Sequence, residues 1–150
     1  MTDLPIVRIA TRDDEEEIVE ACHRLHKENG LFPLSVRKLL HVLEKAFEQN
    51  GSIVGVIGSP IEACIYMQLS SMWYSDNEIW EELWSFVLPE YRQSGNAKSL
   101  LKFATKISDD TGFPLLIGIV SNDRTQPKVR LYRRTFGEPA GAFFLHRPGH

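Results

Sequence analysis

The stretch Val87-Leu88-Pro89-Glu90-Tyr91-Arg92-Gln93-Ser94-Gly95-Asn96-Ala97 runs directly into Lys98-Ser99-Leu100-Leu101-Lys102-Phe103-Ala104. An apolar run stops at Pro89, small, polar and basic residues follow, and an amphipathic segment begins. The pattern reads as strand, glycine-bearing turn and helix start. Proline cannot donate to a ladder, so the chain leaves its sheet at Pro89. Gly95 permits a positive φ or close approach of a ligand. Small or flexible side chains from Gln93 to Ala97 let backbone N–H groups converge on an anion at the positive end of the helix, and Arg92 adds a charge-assisted bond. An ordinary strand-to-helix connection accounts for the same residues. The turn lacks the Gly-Lys-Ser/Thr ending of a Walker loop and the three-glycine spacing of a dinucleotide fingerprint.

Upstream, Val7 and Ile9 alternate with Arg8 and Ala10 as a short strand. Thr11 caps a helix with Asp13, Asp14 and Glu15 in its first turn and Ile18, Ala21, Cys22 and Leu25 on its apolar face, stopped by Asn29-Gly30. Ser35 caps a second helix striped by Val36, Leu39, Leu40, Leu43 and Phe47 and ended by Asn50-Gly51. Ile53 to Ile57 and Ile61 to Met72 read as strands of a hairpin turned at Gly58-Ser59-Pro60. A third strand, about Ile79 to Leu88, sets Leu83, Ser85 and Val87 against Glu82, Trp84, Phe86 and Leu88. After the turn come helix 98–110, an almost wholly apolar strand Leu115 to Val120, helix Val129 to Phe136 ended by Gly137, and a last strand Ala142 to His146. The order β-α-α-β-β-β-α-β-α-β predicts a mixed α/β sheet with helices on both faces. Only the crossover from 87 to 120 forces parallel neighbours.

The 150 residues, 43% apolar and 25% charged, suit one soluble globular domain. A net charge of -3, with no long block of either sign, disfavours a nucleic-acid groove. Cys22 and Cys64 lie in apolar periodic segments and read as buried thiols. No targeting signal and no run long enough to span a bilayer is evident, so the expectation is a cytoplasmic protein without a membrane partner. His23, His26 and His41 have no spaced Cys or Asp partners, so no metal is expected.

The stretch Phe86 to Leu101 resembles the central motif of the GCN5-related N-acetyltransferases: a strand, then Arg/Gln-x-x-Gly-x-Gly/Ala, then a helix. Arg92, Gly95 and Ala97 match it, with Gln93 and Asn96 in variable places. Asn122 followed by Leu131-Tyr132-Arg133-Arg134-Thr135-Phe136-Gly137 resembles the second signature, with the usual closing Gly-Phe inverted. The element order extends the likeness from Ile6 to His146, and compact phage and bacterial members look similar throughout.

The resemblance implies transfer of an acetyl group from acetyl-coenzyme A to a primary amine by direct attack in a ternary complex, with no protein nucleophile. It implies a mainly antiparallel sheet with the cofactor in a splay between the third long strand and strand 115–120. The backbone of Phe86, Val87 and Leu88 would pair with the pantetheine amides, and Arg92, Gln93, Ser94, Gly95, Asn96 and Ala97 would hold the pyrophosphate. Asn122 would contact the cofactor or position the helix, and Tyr132 would be the general acid for the departing thiolate. The base is Glu82, Glu81 or a water chain. Glu82 shares alternation with Trp84 and Phe86 in an unbulged strand, and a β-bulge reverses that phase. Within the basic helix, Lys128 or Arg133 would reach the adenosine phosphate end, unless that face is merely solvated.

The acceptor cleft would come from Leu31 to Leu39 and Met67 to Tyr74, with Trp73, Tyr74 and Trp80 as an aromatic cluster at its mouth. Asp76 and Glu78 favour a cationic acceptor, either a small-molecule amine or a protein amine. An exposed edge strand near the C-terminus would permit a homodimer. Two other readings stay open: a non-catalytic acyl-coenzyme A binder or sensor, and an interaction protein that has lost the pocket.

Overall fold

The elements β1 (Arg8–Ile9), α1 (Glu15–Asn29), α2 (Val36–Phe47), β2 (Ser52–Ile57), β3 (Ala63–Ser70), β4 (Ile79–Val87), α3 (Asn96–Thr111), β5 (Leu115–Leu116) and α4 (Thr125–Phe136) follow one another in the computed structural model, which describes residues 3–92, 94–119 and 125–149. The sheet order is β1-β2-β3-β4-β5. Pairing is antiparallel up to β4 and parallel between β4 and β5, the two strands joined through α3. This is the mixed sheet with helices on both faces that the element order predicts, and it is mainly antiparallel, as the family resemblance implies.

Helices α3 and α4 begin two and four residues before the Lys98 and Val129 starts that the sequence suggests, while α2 starts at its expected cap. Ser35 Oγ accepts from Lys38 N at 3.3 Å at the head of α2. Thr11 N donates to Asp14 Oδ2 at 2.8 Å ahead of α1, and Arg8 grips the same carboxylate through both terminal nitrogens, at 2.9 and 2.8 Å.

Two apolar layers sandwich the sheet. On one side Val54, Val56, Cys64, Tyr66 and Phe86 pack against Ile18 and Cys22 of α1 and Leu39 and Leu43 of α2. On the other, Ile57, Ile65, Met67 and Trp80 pack against Leu100 and Ala104 of α3. Side chains such as Leu43, Leu100 and Met67 are fully buried, each stabilising the fold by about 1.5–3 kcal/mol. Tyr66, equally buried, spends its hydroxyl on Val42 O at 2.5 Å. Both cysteines are free and buried, and Trp84 Nε1 donates to Cys64 Sγ at 3.3 Å. Burial pushes the Cys22 thiol up to about 12 and raises that of Cys64 as well.

Two expectations about strands are corrected. The segment Ala142 to His146 forms no strand, and Phe143 and Phe144 stand 89% and 96% exposed. The expected strand Leu115 to Val120 pairs, among its described residues, only over Leu115–Leu116, residues 117–119 carrying no ladder and Val120 lying outside the described residues. Among the described residues, no helix is long and apolar enough to cross a membrane, and no group of three or more His, Cys, Asp or Glu could hold a metal ion.

Candidate active site

The parallel pairing of β4 with β5 covers only Trp80 with Leu115 and Glu81 with Leu116. Beyond it β4 continues to Val87 and β5 stops, so the two strands part. Successive residues of a strand turn their peptide groups to opposite edges. Leu88 N donates to Glu62 O at 2.9 Å, toward β3. Phe86, two residues back, therefore turns its peptide the same way, and Ser85 and Val87 turn theirs into the gap. Cationic side chains meet both gap-facing carbonyls: Lys128 Nζ donates to Ser85 O and Arg92 Nε to Val87 O, each at 3.1 Å. A cavity of about 230 Å³ lies here, lined by Leu25 of α1, Ala97 and Leu101 of α3, and Lys128, Leu131 and Tyr132 of α4.

A β-bulge decides which face of β4 each carboxylate takes. Tyr66 faces Trp84 and Met67 faces Glu82, so Leu83 has no partner on β3. The extra residue reverses the strand's phase. Glu82 leaves the Trp84 and Phe86 face, to which simple alternation assigns it, and joins Met67 and Ser85 on the α3 side. Glu81, opposite Gln68, takes the other face. Glu82 is half-buried, and burial raises its carboxyl to about 8 against the pull of the Lys128 ammonium. Tyr132 is half-buried too. Burial first, and the negative charge of Glu82 second, push its phenol well above the usual tyrosine range, with the Ser85 side chain opposing. Both groups therefore hold their protons more tightly than in water, the phenol more firmly than the carboxyl. Tyr132 is steadied by an edge-on contact with Phe136, their rings 6.0 Å apart.

In the turn, Gly95 stands at φ +82 and ψ 3, a left-handed conformation, immediately before α3. A Cβ there would lie 3.2 Å from Leu4 Cδ2. Ser99 N is the donor that reaches Gly95 O, at 3.0 Å, so the N–H groups of Asn96, Ala97 and Lys98 have no acceptor within their own helix. The polar side chains turn elsewhere. Ser94 Oγ donates to Tyr91 O at 2.5 Å, and Asn96, 1% exposed, donates from Nδ2 to Glu62 Oε1 at 3.1 Å. Asn96 Oδ1 and Ser99 Oγ are buried without a partner among the described residues. Arg92 also pairs with Glu28 of α1. Gln93 and Asn122 lie outside the described residues.

On the opposite side, the expected aromatic cluster divides. Trp80 is 5% exposed in the α3-side core and donates from Nε1 to Thr111 Oγ1 at 2.9 Å. Trp73 and Tyr74 stand exposed, edge to face with each other. Asp76 and Glu78 line an open cavity of about 430 Å³ with Leu69, Ser70 and Ser71. Arg147 donates to Leu31 O at 3.0 Å and lies over the Phe32 ring, tying the C-terminal segment to the connector between α1 and α2. Sequence reasoning missed Ser85 and placed Lys128 elsewhere. A backbone carbonyl leaves no signature in the residue type that bears it.

The sequence matches the model of the Acetyltransferase (GNAT) family over residues 6–137. No curated protein matches it. Three solved structures share its fold at low sequence identity. AAC(6')-Iy in complex with the bisubstrate analogue CoA-S-monomethyl-acetylneamine is 12% identical with a TM-score of 0.75, over 97% of this chain and 98% of that one. A Clostridium acetobutylicum protein, described as a predicted acetyltransferase with acetyl-CoA, is 14% identical with a TM-score of 0.73, over 93% and 94%. A Trypanosoma brucei acetyltransferase is 16% identical with a TM-score of 0.67, over 94% and 96%. With the family model spanning nearly the whole chain, from β1 to the end of α4, the protein belongs to the GNAT acetyltransferase family.

Proposed function

We propose that the protein transfers an acetyl group from acetyl-coenzyme A to a primary amine by direct attack. The observation that carries this reading is the meeting of Glu82, Tyr132 and the outward-turned peptides of Ser85 and Val87 where β4 and β5 part. The chain's own groups fit such a cofactor. Ser85 and Val87 turn their peptide edge to the gap, where an amide-bearing arm would pair with the N–H groups and with the carbonyl lone pairs that Lys128 and Arg92 leave over. The N–H groups of Asn96, Ala97 and Lys98, which have no acceptor within their own helix, with Gly95 keeping the approach clear and Arg92 adding charge, suit a diphosphate. When bound, the cofactor supplies an activated thioester carbonyl.

Glu82 accepts the proton of the incoming ammonium, directly or through water, because its carboxyl is poised near 8. Tyr132 keeps its proton until a departing thiolate takes it, because burial and Glu82 both oppose the phenolate. Glu81 faces away and is the weaker choice of base. Asp76 and Glu78 recommend a cationic acceptor. The test is release of free coenzyme A thiol from acetyl-coenzyme A across a panel of primary amines. Turnover with at least one amine, abolished in Glu82→Gln, is expected. Tight cofactor binding with no thiol release on any amine would point instead to a non-catalytic acyl-coenzyme A sensor.

A further inference from the structure

Glu62, in the turn between β2 and β3, reaches both ends of the glycine turn. Its carbonyl oxygen accepts from Leu88 N at 2.9 Å, where β4 has just ended. Its Oε1 accepts from Asn96 Nδ2 at 3.1 Å, where α3 begins. Leu88 and Asn96 are 6% and 1% exposed, so water is no ready substitute for either bond. A carboxylate has no donor, so the Asn96 amide must turn its nitrogen to Glu62 and its oxygen away. Glu62 itself stands on a braced turn. Its N–H donates to Ile57 O at 2.8 Å, and the N–H of Ile61 beside it donates to Glu17 Oε2 of α1 at 3.0 Å. Gly58, left-handed at φ +86, leaves room for the side chain, since a Cβ there would lie 2.9 Å from Glu62 Cγ and Oε2.

We propose that Glu62 is a positioning residue for the diphosphate turn, its carbonyl and carboxylate pinning Leu88 and Asn96 so that the N–H groups of Asn96, Ala97 and Lys98 keep one array beside the gap that Ala97 lines. The proposal rests on the acetyl-coenzyme A reading above. A turn left loose at Asn96 must be ordered by the ligand, at the expense of affinity. Glu62 needs no contact with the ligand, and its negative charge works against an anion. Charge alone therefore predicts that removing Glu62 tightens binding, and positioning predicts that it loosens binding.

Glu62→Ala and Glu62→Gln lose the same charge, but only glutamine keeps an acceptor for Asn96 Nδ2. In both, the backbone carbonyl still serves Leu88 N. Titrations followed by backbone amide NMR compare coenzyme A with pantetheine, which lacks the diphosphate. Glu62→Ala should weaken coenzyme A binding about tenfold and leave pantetheine binding unchanged, and Glu62→Gln should restore native affinity or better. Amide hydrogen exchange without ligand follows the turn itself. Ser99 N–H, bonded to Gly95 O at 3.0 Å, should exchange faster in Glu62→Ala and regain its protection in Glu62→Gln, while Leu88 N–H stays protected in both. Coenzyme A binding that is unchanged or tighter in Glu62→Ala, equal losses for the two ligands, or a loss that glutamine does not repair overturns the proposal. If Glu62→Ala does not fold, Asn96→Ala breaks the same bond from α3, and the same two ligands decide. A wild-type protein that binds no coenzyme A would sink the functional reading, and Ser99 exchange would then decide whether Glu62 holds the turn.

Discussion

Arg92 Nη1 lies 2.9 Å from Glu28 Oε1, so the one arginine of the glycine turn is paired with a carboxylate on α1. Pairing fixes the guanidinium near the first turn of α3 and also competes with any anion that arrives there.

That competition has a measurable sign. Arg92→Ala should weaken acetyl-coenzyme A binding by about tenfold, the worth of one charge-assisted hydrogen bond. Glu28→Gln should leave binding unchanged or tighten it, since it frees Arg92. Calorimetry at low and high salt checks both, and the Arg92 effect should shrink as salt rises.

Gly95 and Gly112 make a matched pair. Both are left-handed, at φ +82 and +77, and both flank α3. A side chain at either costs about 1–2 kcal/mol of backbone strain. Only at Gly95 does it also meet Leu4 and crowd the candidate diphosphate turn. Gly95→Val should therefore lower both the melting temperature and the affinity for acetyl-coenzyme A. Gly112→Ala should lower the melting temperature alone, so equal affinity losses would remove the turn from the site.

Tyr132→Phe removes one proton donor and little volume. Turnover should fall by about two orders of magnitude, and the Kd for acetyl-coenzyme A should stay within error. An unchanged kcat would remove Tyr132 as the general acid.

Glu82 works as a base only when ionised, so kcat/KM should rise with pH through about 8. Glu82→Gln should leave no turnover to follow at any pH, and Glu81→Gln should preserve the limb. The same carboxyl affects stability. Its folded pKa lies above its unfolded one, so the folded chain holds the proton more tightly and stability falls as pH rises from about 4.5 to about 8. Melting curves of Glu82→Gln should lack that decline.

Asp14 carries the opposite sign. The hydrogen bonds from Arg8, aided by Thr11 N–H, hold its carboxyl below the usual aspartate range against the effect of burial. Its stabilisation is present above the unfolded value of 3.8 and is lost as pH falls through the lower folded one. Asp14→Asn should cost about 1–2 kcal/mol at pH 7 and nearly nothing in strong acid, read by urea unfolding.

Local chemistry made most of the fold legible. Ser35, Gly30 and Pro89 mark where the chain changes structure because each acts on its own backbone. The strand-to-helix turn could be located for the same reason. Properties set by a neighbouring strand were not legible. Alternation in Glu82, Trp84 and Phe86 looks unbroken, and only the register against Tyr66 and Met67 reveals the bulge that turns Glu82 around. Trp80 looked like part of a surface aromatic group because burial by α3 is invisible from its own neighbours in sequence. The apolar run from Leu115 looked like a full strand, yet among its described residues only two find a partner.

Those two residue pairs make the β4–β5 boundary a seam stitched at one end. A slender molecule with amides along its length, laid into the open end, would serve as another strand in the five-stranded sheet. The folded chain would then be completed by something it consumes. Its resistance to unfolding would follow the concentration of that molecule by mass action. A protein built this way carries a gauge of its donor supply in its own rigidity.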